Sequence, residues 1–409
     1  MSFEIRPLSQ EQVPAFRQAV SAGFGHDADL EDEAAAARFN AVFDRDRCFP
    51  VFDGEEIVGT GGDFEFTVTV PGGIQVPMSG LTIITVRPTH TRRGVLTAMM
   101  RSHVDQARDR GEPLGGLWAS ETPIYGRFGY GQATLMHGVK FDARLAGRGG
   151  AEPGVTVRLV SGEEAAATLP PLYDQMQGSR AGMYQRSPNW WKYRLFYDPE
   201  KGRDGASALR HAVAERDGEP IGYMTYRQKS SWDLLSEGEV RIRELIPTSD
   251  AAYRALWYYA SSIDLFPIVK HWNNPVEDPL PLILNDGRAV ATTEYSDALW
   301  VRLIDVGAAL IQRKYSGPGS VVIEVADSFC EWNSGAYRLA VAGGDATCER
   351  VAATADVAMN VDTLGALYMG GRDAVSFARA GRIHGDNESI ERLSSMFRTV
   401  PAPWCAEIF

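Results

Sequence analysis

Residues 81–96 constrain this chain more than any other stretch. Leu81 to Val86 is an apolar, β-branched run that reads as a strand, Pro88 ends it, and from Val95 apolar residues recur at Leu96, Met99, Met100, Val104 and Ala107, the spacing of a helix. Between the two lies Arg87-Pro88-Thr89-His90-Thr91-Arg92-Arg93-Gly94. A basic, glycine-containing turn is thus delivered onto a helix N-terminus, whose free N–H groups and dipole favour an anion. Two guanidinium groups reinforce that field, and Gly94 removes the side chain that would hinder close approach. The arrangement suits a pyrophosphate, although many α/β folds begin a helix this way for packing alone.

A second cluster falls where the next strand should end: Pro113 to Ser120, followed by Glu121-Thr122-Pro123-Ile124-Tyr125-Gly126-Arg127-Phe128-Gly129-Tyr130-Gly131. In this order the two clusters resemble the core of the Gcn5-related N-acetyltransferases (GNAT). The wording PTHTRRGVL at 88–96 with SETPIYGRFGYG at 120–131 is similar to the Eis (enhanced intracellular survival) family of aminoglycoside acetyltransferases. The likeness runs the length of the chain and takes in Val361 to Gly371 and the terminal Glu407-Ile408-Phe409. It implies an α/β (α+β) protein with tandem GNAT domains, the second degenerate, and a C-terminal sterol-carrier-protein-like domain.

Composition fits that reading. A chain of 409 residues, 44% hydrophobic and 23% charged, has ample core for two or three soluble domains. The net charge of −12 and pI near 5.2 exclude a general nucleic-acid binder, which needs a basic face, and leave room for a cationic substrate drawn to a carboxylate-lined cleft. With neither a secretory leader nor an apolar run approaching the ~20 residues of a membrane span, a cytoplasmic protein with no membrane partner is expected. Cys48, Cys330, Cys348 and Cys405 have no ligand spacing, so they read as reduced thiols, and no metal site is expected.

Three parts are expected along the chain: 1–147, 155–287 and 289–409. In the first, a helix over Ala19 to Phe43 precedes strands over Phe49 to Val58 and Asp63 to Val70, with a hairpin turn at Pro71-Gly72-Gly73. Gly147 to Gly154 has linker composition, and Val155 to Val160 opens a new strand. Asp217-Gly218-Glu219 echoes Asp53-Gly54-Glu55, and the strand before Pro247 echoes the one before Pro88. After Pro247, however, stand Ser249-Asp250-Ala251-Ala252-Tyr253, without basic charge or glycine, so one cofactor site per chain is expected. In the third part strands are expected at Leu299 to Leu303, Ser320 to Val325 and Tyr337 to Val341, with helices at Thr363 to Met369 and Ser376 to Gly381.

Acetyl transfer from a thioester to an amine requires an oriented thioester, a base for the attacking ammonium and an acid for the departing thiolate. The resemblance implies acetyl-CoA as co-substrate, with the backbone of Ile84 and Val86 beside its pantetheine arm and Thr91, Arg92, Arg93, Gly94, Val95 and Leu96 around its pyrophosphate. Thr91 departs from the Arg or Gln that many relatives carry, which puts one side-chain contact in doubt. Ser120 and Arg127 are further cofactor contacts by the same likeness. Tyr125 matches the family tyrosine that protonates the thiolate, and the terminal carboxylate of Phe409 takes the place of the general base, with Glu121 and His90 as alternatives. Asp27, Phe64 and Trp118 are the substrate-side candidates: an acidic residue near where relatives hold an ammonium, and aromatics for a cleft wall. The implied activity is acetylation of polycationic small-molecule amines such as aminoglycosides. Protein or peptide lysine acetylation, and a lipid-binding carrier with a vestigial acetyltransferase core, are the alternatives. A homo-hexamer, a trimer of dimers, follows from the likeness alone.

Overall fold

The computed structural model describes residues 3–409. They divide into two compact units, one of residues 3–134, 298–400 and 408–409, the other of 135–297 and 401–407.

The first unit is built on a seven-stranded sheet. Its long hairpin consists of β1 (Glu56–Val70) and β2 (Ile74–Val86) around the expected turn at Pro71 to Gly73. The helix α1 (Val95–Asp109) follows, burying Val95, Met99, Met100, Val104 and Ala107 as its periodicity predicts, and leads into β3 (Leu114–Trp118). The parallel pair β2–β3 is short: Met78, Ser79 and Gly80 face Leu114, Gly115 and Gly116, and beyond Gly80 the two strands part. Opposite β1, β2 carries one extra residue between Thr82 and Thr85, and Ile83 stands there at φ +48°. A β-branched residue in the left-handed region marks a strained bulge, which bends the strand and helps separate it from β3.

The remaining strands of this sheet depart from the expected order. Leu299–Leu303 was expected to begin the third part. It inserts instead between β3 and Gly131–Gln132 of the first sheet, while Leu135–Asp142, expected in the first part, joins the second unit. Composition shifts mark linkers, but which sheet a short apolar strand completes is a tertiary choice that local pattern does not carry. The helix expected over Ala19 to Phe43 is two helices, Val13–Gly23 and Glu33–Val42, and Asp27 lies in the exposed connection between them. Gly25 at φ +74° and the N-cap at Asp32 break the run.

The sterol-carrier-like part of this unit has a five-stranded sheet holding Gly319–Ala326 and Gly335–Ala342, with helices Val361–Tyr368 and Ala374–Arg379, close to the expected positions. Helix Val361–Tyr368 lies against the first sheet so closely that a Cβ on Gly365 would stand 2.3 Å from the Val301 carbonyl. Buried Arg302 also spans these elements, pairing with Asp327 at 2.7 Å and donating to the Phe128 carbonyl.

The second unit repeats the topology. Two antiparallel strands, Arg210–Arg216 and Glu219–Lys229, lead to β4 (Glu239–Pro247), then to α2 (Asp250–Ser261) and to β5 (Ile268–Asn274), which runs parallel to β4. Its core gathers Leu256, Trp257, Val240, Ile242, Val269 and Phe141. Residues Pro401 to Glu407 cross this unit as an extended tail: Trp404 Nε1 donates to Asn273 at 2.8 Å, and buried Glu407 meets Arg186 at 3.1 Å and Trp190 Nε1 at 2.9 Å.

Candidate active site

Where β2 and β3 part, a cavity of about 660 Å³ opens in the first unit. The bulged end of β2 supplies Ile84, Thr85 and Val86, and the turn and first residues of α1 supply Thr91, Arg92, Gly94, Val95 and Leu96. Ser120, Tyr125 and Arg127 close the far side. Nine of the ten residues expected around a cofactor therefore share one wall system with Tyr125, joined by Gly23 and Phe24, which the sequence reading did not single out.

The turn is built to present backbone donors. Arg92 at φ +61° and Gly94 at φ +88° are both left-handed, and Gly94 caps α1 without a side-chain acceptor. The first amides of α1 are left for an outside partner, as at anion-binding helix starts and backbone nests. Arg93 is the expected residue that does not join the cavity wall: its guanidinium lies 3.8 Å from Asp53 and 5.2 Å from the Phe3 ring centre. Asp53 also receives His90 Nε2 at 3.2 Å, while His90 Nδ1 lies 2.8 Å from the Thr89 hydroxyl. His90 is thereby held on both ring nitrogens.

Tyr125 ends a short helical turn, Thr122–Tyr125, and is buried. Burial raises its phenol pKa above the usual value, opposed by a hydrogen bond from Ser120 and aided by the charge of Glu121. It therefore stays protonated through the neutral range and can donate. The loop behind it is fixed, since Gly129 sits at φ +85° against the Arg302 guanidinium that holds the Phe128 carbonyl.

The substrate-side candidates lie elsewhere. Phe64 is buried between Phe43 and Phe66, at ring distances of 4.8 and 5.4 Å; Trp118 ends β3 with its backbone paired to Leu299; and Asp27 is exposed in its helix connection. None of the three lines the cavity beside Tyr125. Phe409 does reach this sheet. Its ring packs edge-on to Phe66 at 4.9 Å and over Gly80, four residues before Ile84 on the same strand.

A buried charge cluster beneath the sheet escaped the sequence reading. Asp63 on β1 meets Arg110 at 3.0 Å and Arg47 at 2.5 Å; Arg47 also pairs with Glu112, and His103 Nε2 lies 2.8 Å from the Tyr130 hydroxyl. These partners are 16 to 65 residues apart in sequence, so no local spacing announces them. Among the described residues no group of His, Cys, Asp and Glu is arranged to hold a metal ion, and no helix is long and apolar enough to cross a membrane.

A bulged strand parting from its parallel neighbour, with a helix N-terminus open to the gap, is the arrangement of a GNAT-type acyltransferase. Family models agree: GNAT acetyltransferase domains match residues 4–133 and 182–303, and a sterol carrier protein domain matches 306–406. The chain is 39% identical to an uncharacterized N-acetyltransferase of Streptomyces avermitilis over 99% of both chains. It is 35% identical to the N-acetyltransferase Eis of Mycobacterium tuberculosis over 87% of this chain and 86% of that one. The crystal structure of Eis1 from Mycobacterium abscessus superposes with a TM-score of 0.85 at 28% identity, covering all of both chains. The chain belongs to the Eis-like family of GNAT N-acetyltransferases.

Proposed function

We propose that this N-acetyltransferase uses acetyl-CoA to acetylate amines of polycationic small molecules such as aminoglycosides. The carrying observation is the convergence of the bulged β2 edge, the left-handed turn before α1 and the Ser120–Tyr125 pair on one cavity. Acetyl-CoA, when bound, supplies an activated acyl group. In this reading the amides of Val95 and Leu96 and the Arg92 guanidinium hold its pyrophosphate, and the backbone of Ile84 and Val86 aligns the pantetheine arm. The carboxylate of Phe409 accepts the proton of the attacking ammonium, directly or through a water; the new N–C bond forms as the C–S bond breaks, and the Tyr125 hydroxyl gives its proton to the leaving sulfur. The negative overall charge favours a polycation over a neutral amine.

Thiol release from acetyl-CoA, assayed with a panel of aminoglycosides, polyamines and lysine peptides, tests the substrate class. Turnover confined to the lysine peptides would replace the small-molecule reading. A Gly-Ser extension after Phe409 tests the base, because it moves the carboxylate while keeping every side chain. Loss of turnover is expected; full activity in the folded, extended protein would redirect the assignment to Glu121 or His90.

A further inference from the structure

The second unit also contains a parted-strand cleft. Parallel pairing of β4 and β5 ends at Ile242 and His271, and beyond it lies a cavity of about 650 Å³ walled by Leu245, Tyr253, His271, Asp278 and Trp404. At the head of α2 stand Ser249 and Asp250, so the place that would receive a pyrophosphate is acidic. A size of several hundred Å³ suits a small ligand.

Two wall residues define its chemistry. His271 Nδ1 lies 2.6 Å from Asn274 Oδ1, and the same amide's Nδ2 donates to the carbonyls of His137 and His271, so the asparagine oxygen faces the ring and Nδ1 carries the hydrogen. Burial pushes the imidazole pKa down to about 4, only partly offset by the Asn274 hydrogen bond, which keeps the ring neutral. Nε2 is then a bare acceptor, and it is buried without a hydrogen-bond partner among the described residues. An unmet acceptor of this kind costs about 1–3 kcal/mol unless something donates to it.

Asp278 is the second acceptor. It takes the Tyr253 hydroxyl and the Leu280 amide, both neutral donors, and no cation pairs with it among the described residues, so burial raises its carboxyl pKa above the usual value against the pull of those two hydrogen bonds. The two arginines on the wall pair with other carboxylates, Arg180 through a terminal nitrogen with Glu277 at 2.5 Å and Arg254 with Glu152 at 2.6 Å, while Arg180 Nε, like His271 Nε2, is buried without a hydrogen-bond partner among the described residues. One anionic and one neutral acceptor on a wall with tyrosine, tryptophan and proline call for N–H donors, positive charge and a flat apolar body. We propose that this cleft of the second domain binds a small aryl or alkyl ammonium ligand through Asp278 and His271 Nε2, in addition to any amine taken by the acetyl-transfer cleft.

The test is equilibrium dialysis of the full-length protein against 4-fluorobenzylamine, counted by ¹⁹F NMR, with 4-fluorobenzyl alcohol and 4-fluorobenzoate as neutral and anionic analogues. Asp278→Asn and Met176→Trp, the latter filling the cleft from its half-buried rim, are each expected to bind one equivalent fewer per chain than the parent. The alcohol should bind at least tenfold more weakly than the amine, and acetyl transfer by both variants should match the parent, which also reports folding. Equal stoichiometry in the parent and both variants, or an alcohol that binds as well as the amine, overturns the proposal, whatever the first cleft binds.

Discussion

Removing one oxygen atom separates chemistry from binding in the first cleft. Tyr125→Phe keeps the ring that packs edge-on to Tyr130 at 6.3 Å, and so keeps the local core. What disappears is the hydroxyl and its hydrogen bond with Ser120, worth about 1 kcal/mol of stability in a neutral pair. General-acid assistance is worth about a hundredfold or more, which is roughly 2.7 kcal/mol of barrier, so the effect on turnover should exceed the effect on folding. Because burial raises the phenol pKa, the loss should be the same at pH 7 and pH 8.5, and no alkaline limb in this range should belong to Tyr125. The assay is stopped-flow thiol release at saturating amine, paired with calorimetric titration of CoA. A kcat down about a hundredfold with unchanged CoA affinity is expected. If kcat matches the parent while the chemical step is rate-limiting, Tyr125 is a packing residue.

The two arginines of the turn should behave differently. Arg92→Ala should raise the KM for acetyl-CoA about tenfold or more through loss of a charge-assisted contact, whereas Arg93→Ala, which leaves Asp53 with His90 alone and uncovers Phe3, should act chiefly on thermal stability; equal KM effects would contradict the geometry. Stability should fall in mild acid because of His271. Its folded pKa near 4 lies below the ordinary 6.5, so the unfolded chain takes up the proton first, and its stabilising share, complete above pH 6.5, declines by about 1.4 kcal/mol per unit toward pH 4. The groups around the ring are Asn274, Glu244, His137 and Trp257, and His271→Gln should flatten that slope in urea titrations; an unchanged slope would assign it elsewhere. Gly365→Val should unfold or loosen the first unit, since its Cβ would meet the Val301 carbonyl, and a melting temperature equal to the parent's would refute the close approach. Sedimentation should show a hexamer, as the likeness to the family suggests; a monomer at micromolar concentration would rule it out.

Much of the cleft was legible because it is local. A strand, a proline stop, a glycine turn and a helix follow one another within residues 81–109, and the structure keeps that order, so side chains close in sequence end on one wall. Arg93 shows the limit of such reading: adjacent residues in a turn point apart, and only the position of Asp53, forty residues earlier, reveals which arginine is diverted. The same limit explains Phe64 and Phe66. Alternation says that both lie on one face of a strand, but whether that face is core or cleft depends on what covers it, and here the covering pieces are Phe43 from a preceding helix end and Phe409 from the far end of the chain. The buried cluster of Asp63, Arg47 and Glu112, joined from the surface by Arg110, was invisible for a related reason, since charged residues read as surface until their partners are known, and burial of the three is tolerable only because each charge is met. The degenerate second domain carries this one step further. Its loss of the basic turn was readable at Ser249 and Asp250, and that reading excludes a nucleotide; what the cleft accepts instead is written in His271 and Asp278, residues whose meaning depends on Asn274, Tyr253 and Leu280 having used up the alternatives.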